Sequence, residues 1–178
     1  MKKIAKSNAT RRGSLVWPAL FIALALAAVA ATIALWRPPA ELAQVAAVGG
    51  DFVLTDVNGA TFDSRTLRGK PYAVFFGYTH CPDVCPTALL DVTHALRAIE
   101  LSTEDFPVVF ISVDPERDKP DVMKRYIEVI DAGIIGLTGD PQQIAQTAKL
   151  FRVFYRKGTE DGGAYAIDHS AMIYLFNR

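Results

Sequence analysis

Cysteine is scarce in this chain of 178 residues, with only Cys81 and Cys85. Two are too few to staple a scaffold. A bridge between them would close so short a loop that little chain entropy leaves the unfolded state, so any pairing is a matter of chemistry rather than stability. Acidic residues are missing from the first forty positions, where Lys2, Lys3, Lys6, Arg11, Arg12 and Arg37 all precede Glu41. The chain balances 19 basic against 19 acidic residues, so beyond residue 40 about 13 basic residues face 19 acidic ones, a net charge near −6. That argues against a nucleic-acid partner, which would need a basic face. Internal repeats and low-complexity segments are also absent, apart from one apolar run.

That run, Gly13 to Trp36, contains no charged residue and is rich in Ala, Leu, Ile and Val. At 1.5 Å per residue, about 24 helical residues are long enough to cross a hydrocarbon core of roughly 30 Å. Trp17 and Trp36 stand near its ends as interfacial anchors would, and Pro18 falls in the first turn, where it is tolerated. Five Lys/Arg residues precede the run and only Arg37 follows closely, which places the N-terminus in the cytoplasm. Ala28-Val29-Ala30 offers a signal-peptidase site, but the apolar run continues past it, so a retained anchor is the preferred reading. The expected organisation is a cytoplasmic basic segment over 1–12, a transmembrane anchor over 13–36, a linker over 37–50 and one exported domain over 51–178. In a bacterium this is a single-pass inner-membrane protein with its C-terminal domain in the periplasm, or otherwise outside the cytoplasm.

Within the domain, Phe52 to Asp56 and Ala60 to Phe62 alternate about Asn58-Gly59, a strong turn signal, which predicts an opening hairpin. Tyr72 to Tyr78 is a continuous apolar run and reads as a strand buried on both faces. Leu89, Leu90, Val92, Leu96 and Ile99 recur at near-helical spacing after Pro86, and Pro107 to Val113 reads as a second buried strand. A right-handed crossover makes the two strands parallel, giving an α/β domain. Pro120 opens a helix carrying Val122, Met123, Tyr126 and Val129, which stops before Gly133. Asp140-Pro141-Gln142-Gln143 predicts a capped helix carrying Ile144, Ala148 and Phe151. After a polar turn over Gly158 to Gly163, Tyr165 to Phe176 reads as a last strand broken at Asp168-His169-Ser170.

Tyr78-Thr-His-Cys81-Pro-Asp-Val-Cys85-Pro86 joins the end of a buried strand to the start of a helix, where ligand sites of open α/β sheets lie. Backbone N–H groups there favour thiolate over thiol. Each cysteine precedes a proline, which disfavours helical dihedrals at the cysteine, so the motif reads as a turn capped onto a helix. Four residues' separation on a turn brings two sulfurs within reach of one ion or of each other. Two thiolates and an imidazole suit copper, especially Cu(I), whereas a structural zinc site takes a fourth protein ligand. Of the three histidines, His94 lies off the apolar stripe of its helix and reads as solvated. His80 adjoins Cys81, and alternation turns it to the other face. His169 interrupts an apolar strand, and by itself is equally a hydrogen-bonded core histidine or part of a site.

Together, Phe76-Gly-Tyr-Thr-His-Cys-Pro-Asp-Val-Cys-Pro86, Phe110-Ile-Ser-Val-Asp-Pro-Glu-Arg-Asp118, Gly136-Leu-Thr-Gly139 and Ile167-Asp-His-Ser170 closely resemble the Sco/SenC family of copper chaperones for cytochrome oxidase assembly. The resemblance runs from about residue 50 to the end, in order and spacing. It implies a thioredoxin-like fold with a central mixed sheet and copper ligation by Cys81, Cys85 and His169. Its implied partners are an upstream copper donor and the subunit carrying the oxidase's dinuclear copper site, with the membrane reached through the N-terminal helix. Asp168 is expected to orient the imidazole by a hydrogen bond, and Asp83 to serve the turn or cap the helix. Asp114, Arg117 and Asp118 lie in a family loop with no implied ligand role and are expected to form a structural ion-pair network. The family normally continues beyond the His169 strand through a turn, a strand and a covering helix, so an open sheet edge and an uncovered apolar face are expected here.

The leading reading is a copper-binding assembly factor rather than an enzyme. The alternative is a thiol–disulfide oxidoreductase that keeps partner cysteines reduced with Cys81 and Cys85 as its redox pair, which has no need of His169. A thiol peroxidase would need an activating threonine and arginine around one nucleophilic cysteine, and Thr79 is a poor start toward that.

Overall fold

The computed structural model describes residues 16–35, 48–159 and 164–177. The chain divides into two units, Met1–Ala47 and Val48–Arg178. The basic segment over 1–12 and most of the linker over 37–50 lie outside the described residues.

In the first unit, helix α1 covers Val16–Leu35 without a charged residue. Among the described residues no helix is long and apolar enough to cross a membrane. A span over 13–36 is therefore not shown.

The second unit is a mixed sheet with helices packed on it. The opening hairpin forms as predicted, β1 (Val53–Asp56) pairing antiparallel with β2 (Thr61–Asp63). Its turn closes because the Asp56 carboxylate accepts from the amides of Asn58 and Ala60, both at 2.8 Å, and Gly59 takes a left-handed φ of +78°. A short 3-10 turn, Ser64–Leu67, follows. The apolar runs become β3 (Tyr72–Gly77) and β4 (Val108–Ser112), paired in parallel and joined through helix α2 (Val84–Ala98). Helix α3 (Pro120–Ile130) leads to β5 (Ile135–Thr138), parallel to β4, and helix α4 (Pro141–Leu150) follows. The sheet order is β2-β1-β5-β4-β3-β8, with β8 (Ile173–Phe176) antiparallel to β3. This is the thioredoxin-like mixed α/β architecture expected from the sequence.

Alternation along β3 divides the core in two. Phe75 stacks with Phe110, which meets Tyr126 of α3, while Phe76 points the other way into Phe151 and Tyr174. The capping box of α4 is present: Asp140 accepts from the Gln142 and Gln143 amides, and the Gln143 side chain accepts from the Asp140 amide. Ile144, Ala148 and Phe151 are buried as predicted.

Three expectations need correction. Val129 was assigned to the core stripe of α3 but is 87% exposed, because Met123 and Ile127, one turn apart, define the buried face. Leu90 and Ile99 of the α2 stripe are likewise exposed, the buried line being Cys85, Leu89, Thr93 and Leu96. The stretch from Tyr165 to Phe176 is not one broken strand. Its first part, β7 (Ile167–His169), pairs antiparallel with a short β6 (Tyr155–Lys157) in a separate two-stranded sheet, and only its second part joins the main sheet as β8. Ser170 marks the parting, its amide donating to the Phe154 carbonyl at 2.9 Å and its hydroxyl accepting from the Phe154 amide at 3.2 Å. The outer edge of β8 has no strand partner among the described residues, and Leu175 upon it is exposed.

Candidate metal centre

Three elements meet at the carboxyl end of β3. The chain leaves Gly77 and turns over residues 78–81, the Cys81 amide donating to the Tyr78 carbonyl at 3.2 Å, and enters α2 at Val84. Cys85 is thus the second residue of the helix. The proline after it does not prevent this, since Pro86 lies in the first turn, where no backbone N–H is required. Only Cys81 stands in the irregular turn that was expected for both cysteines. Asp83 occupies the N-cap position but makes no side-chain cap bond, its carboxylate accepting instead from the Thr87 hydroxyl at 3.4 Å.

His169 arrives from the far end of the chain on β7. The ligand atoms of Cys81, Cys85 and His169 all lie within 4.8 Å of one another, and Cys85 Sγ is 3.5 Å from His169 Nε2. Donor atoms some 2.0–2.3 Å from a common ion stand roughly 3.5–4.5 Å apart, so the three can share one ion with little movement. The imidazole is held edge-on to the rings of Tyr78 and Phe75, at centroid distances of 5.7 and 6.4 Å. Its Nδ1 faces the Ser170 carbonyl at 3.3 Å. A proton on Nδ1 donated to that oxygen leaves the Nε2 lone pair directed at the sulfurs.

Both cysteines are free thiols, Cys85 fully buried and Cys81 7% exposed. Burial pushes the Cys85 thiol far above its ordinary range, and the Cys81 side chain hydrogen-bonded to it adds to the rise, while the Tyr78 backbone opposes it. A metal ion bound here must therefore displace that proton, a cost that an ion bonding strongly to sulfur recovers. A backbone without a side chain makes room for the sulfur, since a Cβ on Gly77 would lie 2.7 Å from Cys85 Sγ.

The other histidines stand apart. His94 is on the exposed side of α2, as expected. His80 is 52% exposed, its Nδ1 lying 3.0 Å from the Thr79 hydroxyl and 3.8 Å from an Asp118 carboxylate oxygen. Asp168 does not orient the imidazole, contrary to expectation. Alternation along β7 turns it to the opposite face from His169, where it pairs with its cross-strand neighbour Arg156 at 2.8 Å. Of the expected network, the Asp114–Arg117 ion pair is present, while Asp118 bonds Thr79 and Ser112 instead of Arg117. Arg117 pairs with Asp114 and donates to the Tyr165 carbonyl at 3.0 Å, and the Tyr165 hydroxyl donates to Asp114 at 2.8 Å. Sequence reasoning did not connect Asp118 with the cysteine motif, yet its buried carboxylate accepts from the Thr79 amide and hydroxyl at 2.9 and 2.6 Å. Gly77 was also missed, although a glycine closing an otherwise bulky strand was the available signal.

The SCO1/SenC family model matches residues 40–178. A SCO2-like protein of Rickettsia felis is 42% identical over 132 residues, covering 73% of this chain. The match spans 64% of that relative's own length. Bradyrhizobium japonicum ScoI, solved with copper bound, has 48% sequence identity and a TM-score of 0.69, with 72% of this chain and 82% of that one covered. Arabidopsis thaliana ScoI, also solved with copper bound, has 39% identity and a TM-score of 0.68, covering 74% of this chain and 82% of that one.

Proposed function

The chain belongs to the SCO1/SenC family, and from that premise we propose that it binds one copper ion through Cys81, Cys85 and His169 for assembly of cytochrome c oxidase. The observation that carries the reading is the convergence of two thiols and an imidazole nitrogen within 4.8 Å, from segments 84 residues apart in sequence. Such a donor set suits copper in either oxidation state, the thiolates favouring Cu(I) and the imidazole helping to hold Cu(II). The copper is cargo, received from an upstream copper donor and passed to the oxidase subunit that carries the dinuclear copper site. Cys85 is the buried ligand, while Cys81 and His169 lie nearer the surface, where a partner's sulfur can reach.

A metal-free thiol–disulfide oxidoreductase would use the same two cysteines but has no role for His169. His169→Ala separates the readings, since it leaves the dithiol intact. Cu(II) binding is expected to collapse and Cu(I) binding to weaken less, while Cys81 and Cys85 still oxidise and reduce. Oxidase assembly then fails despite normal abundance of the variant. Full rescue of oxidase activity by His169→Ala would promote the reductase.

We further propose that residues 13–36 anchor the protein in the bacterial inner membrane, with 1–12 in the cytoplasm and the copper domain on the far side. The uncharged run and the five basic residues before it support this orientation. A reporter fused after residue 45 is expected to work only if it functions outside the cytoplasm. Activity of a cytoplasm-only reporter at that junction would reverse the topology.

A further inference from the structure

The three ligands are not equally well held. Cys85 is in a helix with its sulfur against Gly77, and His169 is in a paired strand with its ring between Tyr78 and Phe75. Cys81 is in neither, standing in the turn between β3 and α2 with its amide on the Tyr78 carbonyl. The residue two positions before it, Thr79, is fastened from a different part of the fold.

That fastening is Asp118. Its side chain has no solvent exposure, and its carboxylate accepts from the Thr79 amide at 2.9 Å, the Thr79 hydroxyl at 2.6 Å and the Ser112 hydroxyl. The Asp118 amide donates to the Asp114 carbonyl at 2.9 Å, closing the loop after β4. Two residues of this loop reach the other arm of the centre. Asp114 accepts from the Tyr165 hydroxyl, and the Arg117 guanidinium lies 3.6 Å from the Tyr165 ring centre and 5.7 Å from that of Tyr78. Tyr165 precedes the strand bearing His169, and the Tyr78 ring rests against the imidazole. A buried carboxylate is costly unless donors surround it, and here two of the three donor groups belong to Thr79.

We propose that Asp118 is a positioning residue for the metal centre, clamping Thr79 so that the Cys81 sulfur is held in place for copper, with the 114–118 loop as the frame joining the Cys81 and His169 arms. The proposal rests on the copper reading. Its mechanical part, the restraint of Cys81, does not require a metal.

Asp118→Asn keeps the volume but leaves one oxygen where two accepted, and Thr79→Val removes only the hydroxyl of the partner. In the full chain, purified in detergent, Asp118→Asn is expected to weaken Cu(II) binding by about 10–100-fold and to shift the sulfur-to-copper charge-transfer band, with an unaltered far-ultraviolet circular dichroism spectrum. Thr79→Val moves both readings the same way by less. The double variant is no worse than Asp118→Asn, because both act through one contact. In the metal-free reduced chain, Cys81 alkylates faster in each variant than in the parent. Parental affinity, band and alkylation rate in a folded Asp118→Asn chain would overturn the proposal, and if that variant does not fold, the same outcome in Thr79→Val would do so. Should the parent itself bind no copper, the copper reading fails separately. The alkylation rates then decide the clamp, equal rates overturning it.

Discussion

Cys85 packs its sulfur onto the bare α-carbon of Gly77, eight residues earlier, so closely that a methyl group there would sit 2.7 Å from Sγ and 2.9 Å from the Phe110 ring. The contact couples the strand that ends at the site to the helix that begins there. Neither neighbour yields easily, because Cys85 and Phe110 are both fully buried.

Gly77→Ala is therefore expected to displace Cys85 from the position in which its sulfur meets Nε2 of His169. Overpacking of this kind destabilises by about 1–3 kcal/mol, which the domain can survive. Copper affinity should fall further than stability does, since the displaced atom is a ligand. Copper titration beside denaturant unfolding checks this, and parental affinity in Gly77→Ala would show that the site absorbs the methyl group elsewhere.

Asp168 adjoins His169 in sequence but faces away from it, toward Arg156. Exposed pairs of this kind contribute about 0–1 kcal/mol. Asp168→Asn is expected to leave copper affinity and spectrum unchanged within error and to alter the unfolding free energy by less than about 1 kcal/mol. A loss of Cu(II) binding in that variant would mean that the carboxylate orients the imidazole after all.

What could be read in the sequence and what could not follow from the range of each contact. The two buried strands, the capping box at Asp140 and the Asn58-Gly59 turn are local, and each carried its own signal. Cys81 and Cys85 announced themselves by proximity, whereas His169 was ambiguous until the wider motif pattern was considered. The role of Asp118 depends on a contact with Thr79 across 39 residues, which no local pattern encodes. Val129 was misassigned because apolar spacing alone cannot tell which of two overlapping stripes a helix buries, and Met123 with Ile127 prevailed. Strand β6 was missed because three residues, two of them charged, give no alternation to detect.

The raised thiol of Cys85 gives the metal-free domain a pH dependence whose sign can be worked out. In the unfolded chain this thiol loses its proton near its ordinary value of 9.0, while in the folded chain burial, reinforced by the hydrogen bond with the Cys81 side chain, keeps the proton on to far higher pH. Below pH 9 both states hold the proton and the full stability is present. As pH rises past that point the unfolded chain binds fewer protons than the folded one, so stability must fall. Tyr126, raised from 10.0 chiefly by burial, acts in the same direction at somewhat higher pH. The reduced, metal-free protein is thus expected to lose denaturant resistance steadily from about pH 9 upward, the region where an ordinary thiol titrates. Cys85→Ala should lower stability at neutral pH by leaving a cavity, yet flatten the part of the decline that begins near pH 9. The comparison is between slopes and not between absolute stabilities, so the cavity does not confound it. Identical slopes for parent and Cys85→Ala between pH 8 and 10 would mean that the Cys85 thiol ionises as readily in the folded chain as in the unfolded one.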